Sequence, residues 1–421
     1  MDGPQIRERF LAFFEERGHK RVPSSSLIPP PESGLLLTNA GMNQFIPYFL
    51  GLSAPPFARA TSVQKSFRTV DIDNVGHDAR HLTLFEMLGN FSFGDYFKKE
   101  SLTWGLELVT QVYGIDPGVL WVTIYEEDDE TADIWADELG IARDRIVKRG
   151  KGDNLWSMGV AGPCGPCSEI YVDRGAKYGP EGGPAVDEER FLEIWNHVFM
   201  QWVCDDDINV VGDLERTGVD TGASVERIAV VLQGTDSVFE TDLLQPMLSI
   251  VEQLSGKSYG DDPRADVYMR IVAEHGRATT FLIADGVLPS NEGRGYVLRR
   301  MLRRLVTRSR QLGVETAVAE PLVNATVETL GDVYPELHEN HEFVLKVAAS
   351  EEERFGGTLQ QGWSIVTQEE SEMVEEETAA ARAGPFDPRI CPGPGSCSTP
   401  TSSSPVERTA ARGRRITGTV Q

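Results

Sequence analysis

Two apolar segments on either side of a polar loop constrain the fold of this chain most strongly. Residues 62–68 and 82–93 have strand-like composition, and the loop between them, residues 69–80, contains three Asp and one Gly. This pattern predicts antiparallel strands joined by a long mobile connection. Arg68 ends the first strand. A planar guanidinium can hold a phosphate through two parallel hydrogen bonds, although a surface salt bridge is the commoner use of a single Arg.

The order of the remaining segments favours an α+β fold. Residues 4–18 predict an amphipathic helix, and helix-like and strand-like segments then alternate irregularly to about residue 240. Such an order is not that of a regular βαβ repeat. From residue 241 the pattern is mostly helical. We therefore expect one domain over residues 1–240 and a helical domain over residues 241–382.

Charge and composition limit the function classes. The formal net charge of -25 argues against general affinity for nucleic acid, so RNA contact would need a local basic patch. No run of eighteen apolar residues occurs, so we expect neither a membrane span nor a membrane partner. The five cysteines disfavour a disulfide framework. The N-terminus also lacks a signal peptide pattern, and we expect a cytoplasmic protein.

Residues 383–421 differ from the rest in composition and charge. This segment is rich in Gly, Pro and Ser, and it contains five Arg against one Asp and one Glu. It cannot bury enough apolar surface to offset the entropy of the chain, so we expect disorder. A flexible tail and a translated frameshift explain the change about equally well.

Two short motifs leave several interpretations open. Small residues over 219–224 predict a turn that opens a helix, where Asp220 can cap the helix or bind an ammonium group. Cys164 and Cys167 form a CxxC pair in a Gly/Pro-rich stretch. A zinc site needs about four ligands, and neither a second CxxC nor a close His pair appears. We therefore expect a tight loop with structural thiols and no metal, with a redox pair as the alternative.

Two further segments combine apolar periodicity with polar groups. Residues 193–202 alternate as a buried strand, in which Asn196 must find a backbone or ligand partner. Residues 294–310 contain seven arginines. An apolar stripe at helical spacing runs through the same segment: Leu298, Met301, Leu302, Leu305 and Val306. The arginines are candidates for phosphate contact, and pairing with nearby acids is the alternative.

Taken together, these segments resemble one enzyme family. Phe67–Arg68 with the following strand resembles motif 2 of class II aminoacyl-tRNA synthetases, and residues 221–227 resemble motif 3. Four further strings resemble the alanyl-tRNA synthetases, at residues 38–45, 87–97, 162–169 and 288–300. The likeness covers residues 5–380. It implies an antiparallel sheet flanked by helices, followed by a helical domain that grips the tRNA acceptor stem.

The resemblance also implies the reaction and its partners. Residues 1–240 would activate alanine with ATP and Mg²⁺ to alanyl-adenylate, for transfer to the 3′ end of tRNA(Ala). Residues 241–382 would be a truncated acceptor-stem domain. The family continues into an editing domain, where a zinc site is expected, and an oligomerisation module. Both would be missing here, so the resemblance implies a monomer.

Site residues follow from the resemblance position by position. Arg68 would hold the α-phosphate and carboxylate, and Arg227 would meet adenine or the outer phosphates. The other positions implied around ATP are Arg80, His81, Phe85, Met87 and Glu226. Asp220 would bind the alanine ammonium, in a small pocket of Trp156, Asn196, Val198 and Gly222. The acceptor stem would meet Asn291, Arg294, Arg299, Arg300, Arg303 and Arg304.

Two positions depart from the family pattern. Ser224 stands where motif 3 usually has Gly, and its added side chain could push on ATP. Ser66 stands where Cys is common, and we expect a mild effect. A catalytically impaired remnant that only binds nucleotide or tRNA is therefore an alternative to an active ligase. Adenylate synthesis for another carrier is disfavoured, because it would not need the arginine-rich helix.

Overall fold

A mixed, mainly antiparallel sheet forms the first part of the chain, and the computed structural model describes residues 1–359. The strands are β1 (Lys20–Arg21), β2 (Arg59–Phe67), β3 (Leu84–Phe93), β4 (Leu120–Tyr125), β5 (Ile146–Arg149), β6 (Leu155–Trp156), β7 (Gly162–Asp173), β8 (Phe191–Cys204) and β9 (Val210–Ser224). Their order is β1-β2-β3-β9-β8-β7-β4-β5, and β6 pairs with β7. The two end pairs, β1–β2 and β4–β5, are parallel. The α+β class is confirmed.

Helices flank the sheet and then form most of the chain beyond residue 241. They are α1 (Gly3–Glu15), α2 (Ile46–Phe49), α3 (Lys98–Glu107), α4 (Asp129–Asp133), α5 (Lys151–Asn154), α6 (Val225–Gln233), α7 (Gln245–Ser255), α8 (Pro263–Ala284), α9 (Gly293–Gln311), α10 (Ala319–Leu330) and α11 (Glu336–Glu339). Residues 341–359 are also helical. The predicted tail at 383–421 and the last part of the predicted helical domain lie outside the described residues.

The sheet has a helix-covered face and a face that carries the site. Side chains alternate along a strand, so Leu88, Trp195 and Ala223 lie on one face and pack with α1 and α6. Phe10 of α1 contacts Trp195 at a ring-centroid distance of 5.4 Å. Met87, Cys167 and Val198 lie on the opposite face, where residues 40–49 cover part of them. The alternation predicted for residues 193–202 is confirmed from Trp195 to Met200, and register shifts interrupt it at Ile194 and between Met200 and Trp202.

Two of the predicted helices, α1 and α9, are present with their predicted apolar faces buried. Asp2 caps α1 in a capping box with Gln5, and its Ile6, Phe10, Phe13 and Phe14 are buried. The helix ends at Glu15, three residues before the predicted end. The predicted apolar stripe of α9 is buried throughout, from Leu298 to Val306. This stripe packs α9 against α8, and it leaves Arg303 exposed and the other six arginines half-buried.

Two local predictions were wrong, and a disulfide that the cysteine count disfavoured is present. Residues 162–169, expected as a Gly/Pro loop, belong to β7, and Cys164 forms a disulfide with Cys204 of β8, with a Cα–Cα distance of 6.0 Å. Residues 219–224, expected as a turn, complete β9, so Ser224 rather than Asp220 caps α6. Composition suggested otherwise because Gly and Pro are tolerated where strands bulge, and β7 is irregular between Cys164 and Cys167.

The β2–β3 connection is anchored rather than free. Ile72 and Val75 are buried in the apolar clusters, although the surrounding residues are polar. Gly76 adopts a φ of +91°, and a Cβ there would lie 2.8 Å from the carbonyl oxygen of Val267 in α8. Only glycine fits this approach without strain. The predicted mobile loop is therefore seated against α8.

Candidate nucleotide and amino-acid site

Arg68 lies at the end of β2, above the site face of the sheet. Its backbone N–H donates to the carbonyl oxygen of Thr83 at 2.8 Å, and its guanidinium lies 5.0 Å from the centre of the Phe85 ring. Among residues 1–359, leaving aside the side chain of Glu32, no hydrogen bond or ion pair engages this guanidinium. Burial lowers the pKa of Arg68, and repulsion by Arg227 acts in the same direction. A cation held this way can receive an anion without first leaving another partner.

Arg227 lies in the first turn of α6, beside Arg68. Its Nη1 donates to Oε2 of Glu193 at 2.7 Å. Burial alone would lower the pKa of Arg227, but attraction to Glu193 outweighs it and the pKa is raised. Ser224 accepts a hydrogen bond from the Arg227 backbone N–H at 3.2 Å, so the residue that departs from the family pattern caps the helix that carries Arg227.

A β-bulge brings Glu193 to the same face. Tyr171 pairs with Glu193 and Ile170 pairs with Trp195, so one extra residue interrupts β8 between them. This bulge reverses the alternation, and Glu193 points the same way as Asn196. Strict alternation would have placed Glu193 with Trp195 on the helix-covered face. Sequence analysis therefore missed the counter-ion of Arg227.

Arg80 and His81 end the β2–β3 connection near the same face. Arg80 donates from Nη2 to Oε2 of Glu188 at 2.6 Å, while His81 contacts the carboxylate of Asp78. Burial raises the pKa of Asp78, but hydrogen bonds from His81 and from the Arg80 backbone dominate and hold it at about 2. Asp78 is thus an ionised carboxylate that fixes the His81 ring. Glu188, like Glu193, was not predicted.

Asp220 is a buried carboxylate in the middle of the sheet. Asp220 lies opposite Val198 of the neighbouring strand β8, and its Oδ1 has no hydrogen-bond partner among residues 1–359. Burial raises the pKa of Asp220 to about 7. An unpaired buried carboxylate destabilises the fold unless a partner arrives, and a ligand ammonium is a suitable partner.

Asn196 lies diagonally across from Asp220 and has a defined orientation. Asn196 pairs with Gly222 of β9, and its Nδ2 donates to Oε1 of Glu169 at 3.3 Å. The Asn196 Oδ1 is buried without a hydrogen-bond partner in the described part of the chain. With its amide nitrogen donating to Glu169, Asn196 keeps its amide oxygen as a free acceptor within residues 1–359. The free acceptors Asn196 Oδ1 and Asp220 Oδ1 thus lie on one face.

Glu169 was not predicted from the sequence. Its Oε2 accepts hydrogen bonds from Thr123 Oγ1 at 2.9 Å and from the Tyr171 hydroxyl at 2.7 Å. Burial and repulsion by Glu193 raise the pKa of Glu169 to about 8. Its two oxygens are occupied by protein groups. Glu169 therefore supports Asn196 from within the sheet.

Small size is required at Gly222. A Cβ there would lie 2.9 Å from the Met87 sulfur and 3.3 Å from its Cγ. Val198 and Met87 are buried in the same apolar cluster, and Trp156 of β6 packs against it. The predicted pocket residues therefore converge on one face of the sheet.

Glu226 lies away from these groups. Its carboxylate is fully buried, where Oε1 accepts from Arg277 Nη1 at 3.0 Å and from the Glu86 backbone N–H at 3.2 Å. These partners tie α6 to β3 and α8. A nucleotide contact by the Glu226 side chain would have to compete with both of these partners.

A family model matches most of the chain. The model of the tRNA synthetases class II (A) matches residues 5–382. This chain belongs to that family. The class II synthetase domain therefore contains the Arg68 guanidinium, the Asp220 carboxylate and the N-terminus of α6 with Arg227.

Curated relatives of this class II domain include three alanine–tRNA ligases. That of Frankia alni is 53% identical over 369 residues, which are 87% of this chain and 42% of that protein. That of Corynebacterium efficiens is 50% identical over 86% of this chain and 42% of its own length. That of Carboxydothermus hydrogenoformans is 50% identical, with 88% and 43% covered. The chain spans about two fifths of the length of these relatives.

The arginine-rich helix of this synthetase domain is paired within the chain. Arg300 and Arg304 contact Asp73 at 2.8 and 3.1 Å, and Arg299 and Arg303 contact Glu351 at 3.1 and 3.6 Å. The other three arginines bond to oxygens near the helix: Arg294 to Leu36, Arg308 to Gln311 and Arg310 to Val314. Asn291 accepts a hydrogen bond from Arg299. Four of the seven arginines thus pair with nearby acids, as the alternative interpretation of this segment expected.

The described part of the class II domain contains neither a metal-ligand cluster nor a membrane-crossing helix. Within residues 1–359, no group of three or more His, Cys, Asp or Glu side chains is arranged to hold a metal ion. Cys167 is a buried free thiol, and burial raises its pKa. No helix in the described ranges has the length and apolar character needed to cross a membrane.

Proposed function

We propose that this chain activates alanine with ATP, giving alanyl-adenylate and pyrophosphate, and transfers the alanyl group to the 3′ end of tRNA(Ala). The observation that carries the proposal is the pair of unpartnered groups on one sheet face, the Arg68 guanidinium and the buried Asp220 oxygen. The names of relatives about 50% identical to the chain support alanine as the amino acid. ATP, alanine and tRNA(Ala) would meet in the cytoplasm.

Alanine would bind with its ammonium against Asp220 and Asn196. Both offer a buried oxygen without a protein partner within residues 1–359, and an ammonium provides three donors. The alanine methyl would face Val198 and the glycine position 222. Because a Cβ on Gly222 would already lie 2.9 Å from the Met87 sulfur, we expect little room beside Gly222 for a larger ligand side chain. A single methylene is worth about 1–3 kcal/mol, so this pocket discriminates strongly only against larger residues.

The nucleotide would lie toward the β2–β3 end of the face. Arg68 would hold the α-phosphate, with Phe85 beneath it, while Arg227, Arg80, His81 and Met87 surround the rest of ATP. Arg227 and Arg80 would exchange Glu193 and Glu188 for phosphate or base contacts. Carboxylate partners keep the two arginines in place until then.

The chemical step requires positioning rather than a protein nucleophile. An alanine carboxylate oxygen attacks the α-phosphorus, the α–β phosphoanhydride bond breaks, and pyrophosphate leaves. Negative charge grows on the α-phosphate oxygens, which a fixed guanidinium stabilises most in the transition state. Mg²⁺ would supply further charge neutralisation, and it fits a site with isolated carboxylates because it is bound largely through nucleotide phosphates. The ribose hydroxyl of the tRNA 3′ end then displaces AMP.

The arginine-rich face of α9 would hold the acceptor stem. Asn291, Arg294, Arg299, Arg300, Arg303 and Arg304 lie along its N-terminal half and the segment before it. On a chain with a net charge of -25, this cluster is the local basic patch that RNA contact needs. RNA phosphates would replace Asp73 and Glu351 as the partners of these arginines.

The test is alanine-dependent exchange of labelled pyrophosphate into ATP by the purified chain. We expect exchange with alanine, weaker exchange with glycine and serine, and none with leucine. Charging of a tRNA(Ala) transcript, measured with labelled alanine, tests the second step. A folded sample that exchanges no label with alanine at any ATP concentration would refute the proposal.

A further inference from the structure

Arg304 lies where α9, α8 and the β2–β3 connection meet. Its Nη1 contacts Asp73 of the connection at 3.1 Å, and its Nε lies 3.2 Å from Nε2 of His275 in α8. Asp73 is 66% exposed and also contacts Arg300, whereas Arg304 is 20% exposed. One side of Arg304 thus faces the surface where RNA would bind, and the other faces the protein interior.

A continuous set of hydrogen bonds leads inward from Arg304. His275 Nδ1 lies 2.6 Å from Oε2 of Glu274, and Glu274 Oε1 accepts from the backbone N–H groups of Thr83 at 2.7 Å and Leu84 at 3.1 Å. His275 and Glu274 are fully buried. The carbonyl oxygen of Thr83 accepts the backbone N–H of Arg68 at 2.8 Å. Four side-chain and backbone steps therefore connect the arginine-rich helix to Arg68.

The donors and acceptors along this connection have one consistent order. A guanidinium only donates, so Nε2 of His275 accepts from Arg304. The ring proton is then on Nδ1 and is donated to Glu274, whose second oxygen accepts from β3. Every member is oriented by its neighbour, and in a dry interior such bonds reinforce one another.

We propose that Arg304, His275 and Glu274 are positioning residues that couple RNA phosphate on α9 to the placement of Arg68. The inference rests on the proposed function and goes beyond it, because adenylate formation and RNA contact need no connection to occur. Adenylate bound to Arg68 holds the end of β2 in place, and through it Glu274 and His275. Arg304 is then ordered before RNA arrives, so RNA binding loses less conformational freedom.

The coupling is measured as a ratio of two RNA affinities. A fluorescent RNA minihelix with the acceptor-stem sequence of tRNA(Ala) is titrated with the chain, with and without saturating alanyl-sulfamoyl adenosine, a stable analogue of the adenylate. We expect the analogue to tighten RNA binding about 5-fold, the lower part of the usual range for coupled sites.

The decisive variant is His275→Asn. The Asn amide can replace Nδ1 as the donor to Glu274, but it is too short to reach Arg304. We expect this variant to bind the analogue and the RNA, with the ratio reduced to about one because the two sites are disconnected. Arg304→Gln should give the same ratio, and it carries the test if His275→Asn does not fold.

Arg303→Gln is the matched control. Arg303 lies on the same helix and pairs with Glu351, but it has no contact with His275. Its loss should weaken RNA binding and leave the ratio at the wild-type value. A wild-type ratio of one, or an unchanged ratio in both His275→Asn and Arg304→Gln, would overturn the inference. Failure of the wild-type chain to bind the analogue or to exchange pyrophosphate would instead overturn the proposed function.

Discussion

The site face of the sheet and the arginine-rich face of α9 treat their polar groups in opposite ways. On the sheet, Arg68 has no ion-pair partner within residues 1–359, and oxygens of Asp220 and Asn196 are buried without hydrogen bonds. On α9, all seven arginines have partners in the chain. The sheet face is arranged for a ligand that supplies the missing partners of its polar groups. The α9 face is arranged for a ligand that displaces the present partners of its arginines.

This difference matches what the two regions would bind. A small zwitterion needs a fixed geometry, and unsatisfied groups in a rigid sheet supply it without rearrangement. A long polyanion needs many exchangeable contacts, each of small individual value. Internal carboxylates such as Asp73 keep an arginine-rich helix compatible with a folded acidic chain. Substitutions in the two regions should therefore differ greatly in effect.

Arg68→Ala should have the largest effect. Loss of a fixed charge at the reacting phosphate is expected to lower the pyrophosphate exchange rate by about 100- to 1,000-fold. The fold should persist, because the guanidinium has no ion pair or hydrogen bond among residues 1–359. Exchange kinetics and thermal unfolding check both points, and Arg68→Lys is the control for charge without the planar fork. Normal exchange by Arg68→Ala would contradict the idea of a preorganised sheet site.

Asp220→Asn should weaken alanine binding more than ATP binding. Loss of a charge-assisted hydrogen bond costs about 1.5–3 kcal/mol, which corresponds to roughly a 10- to 150-fold higher KM for alanine. The KM for ATP should change little. Initial rates of exchange at varied alanine and ATP separate the two effects, and an equal loss of both would remove the ammonium role from Asp220.

The same substitution should change the pH dependence of stability without ligands. Burial raises the pKa of Asp220 to about 7, so the folded chain holds this proton more tightly than the unfolded chain. The free energy of unfolding should therefore fall as pH rises from about 4 to 7, by about 1.4 kcal/mol for each unit of the pKa difference. Asp220→Asn should lessen that fall. Urea unfolding at pH 5 and pH 8 measures it, and identical pH profiles for both proteins would contradict the raised pKa.

Asp73→Asn should strengthen RNA binding, which is a smaller effect than those above and opposite in sign. Removing the internal competitor of Arg300 and Arg304 should tighten minihelix binding by about 2- to 5-fold, the value of an exposed ion pair. Glu353→Gln is a matched control: it removes one acid from the helix after α11 that forms no ion pair within residues 1–359. Fluorescence titrations at two salt concentrations check the effect. Equal affinity for Asp73→Asn and wild type would show that these pairs do not compete with RNA.

Local pattern was sufficient to predict part of the sheet site. The β2–β3 strands and the alternation that places Asn196 with Val198 follow from periodicity within one segment, whereas Phe85 was implied only by the family resemblance. Asp220 was identified, but its backbone was predicted as a turn because Gly and Ser suggested one. The strand prevails because β9 pairs with β3 and β8 on either side, a tertiary constraint that composition does not contain.

Partners distant in the chain could not be predicted. The bulge that turns Glu193 toward Arg227 depends on the register between β7 and β8. Asp73 pairs with arginines of α9 that lie 227 and 231 positions away, Glu351 with arginines 48 and 52 positions away, and Cys164 with Cys204 across 40 positions. Charge counts indicated that the arginines could find acids but not which ones. These pairings decide which groups remain free, so the contrast between the two regions emerged only from the structure.

Ser224→Gly should have the smallest effect and tests how rigid the sheet site must be. The Ser224 hydroxyl caps α6 at the Arg227 N–H, and glycine is a nearly equivalent cap, so stability should fall by only a few tenths of a kcal/mol. If the side chain pushed on ATP, glycine would lower the KM for ATP several-fold. We expect less than about a 2-fold change, because Ser224 is engaged with α6 rather than directed at the nucleotide. Ser224→Ala is the control: it keeps the Cβ, loses the cap, and should lower stability by about 1 kcal/mol. A several-fold lower KM for ATP in Ser224→Gly, but not in Ser224→Ala, would show that the Ser224 side chain weakens ATP binding directly.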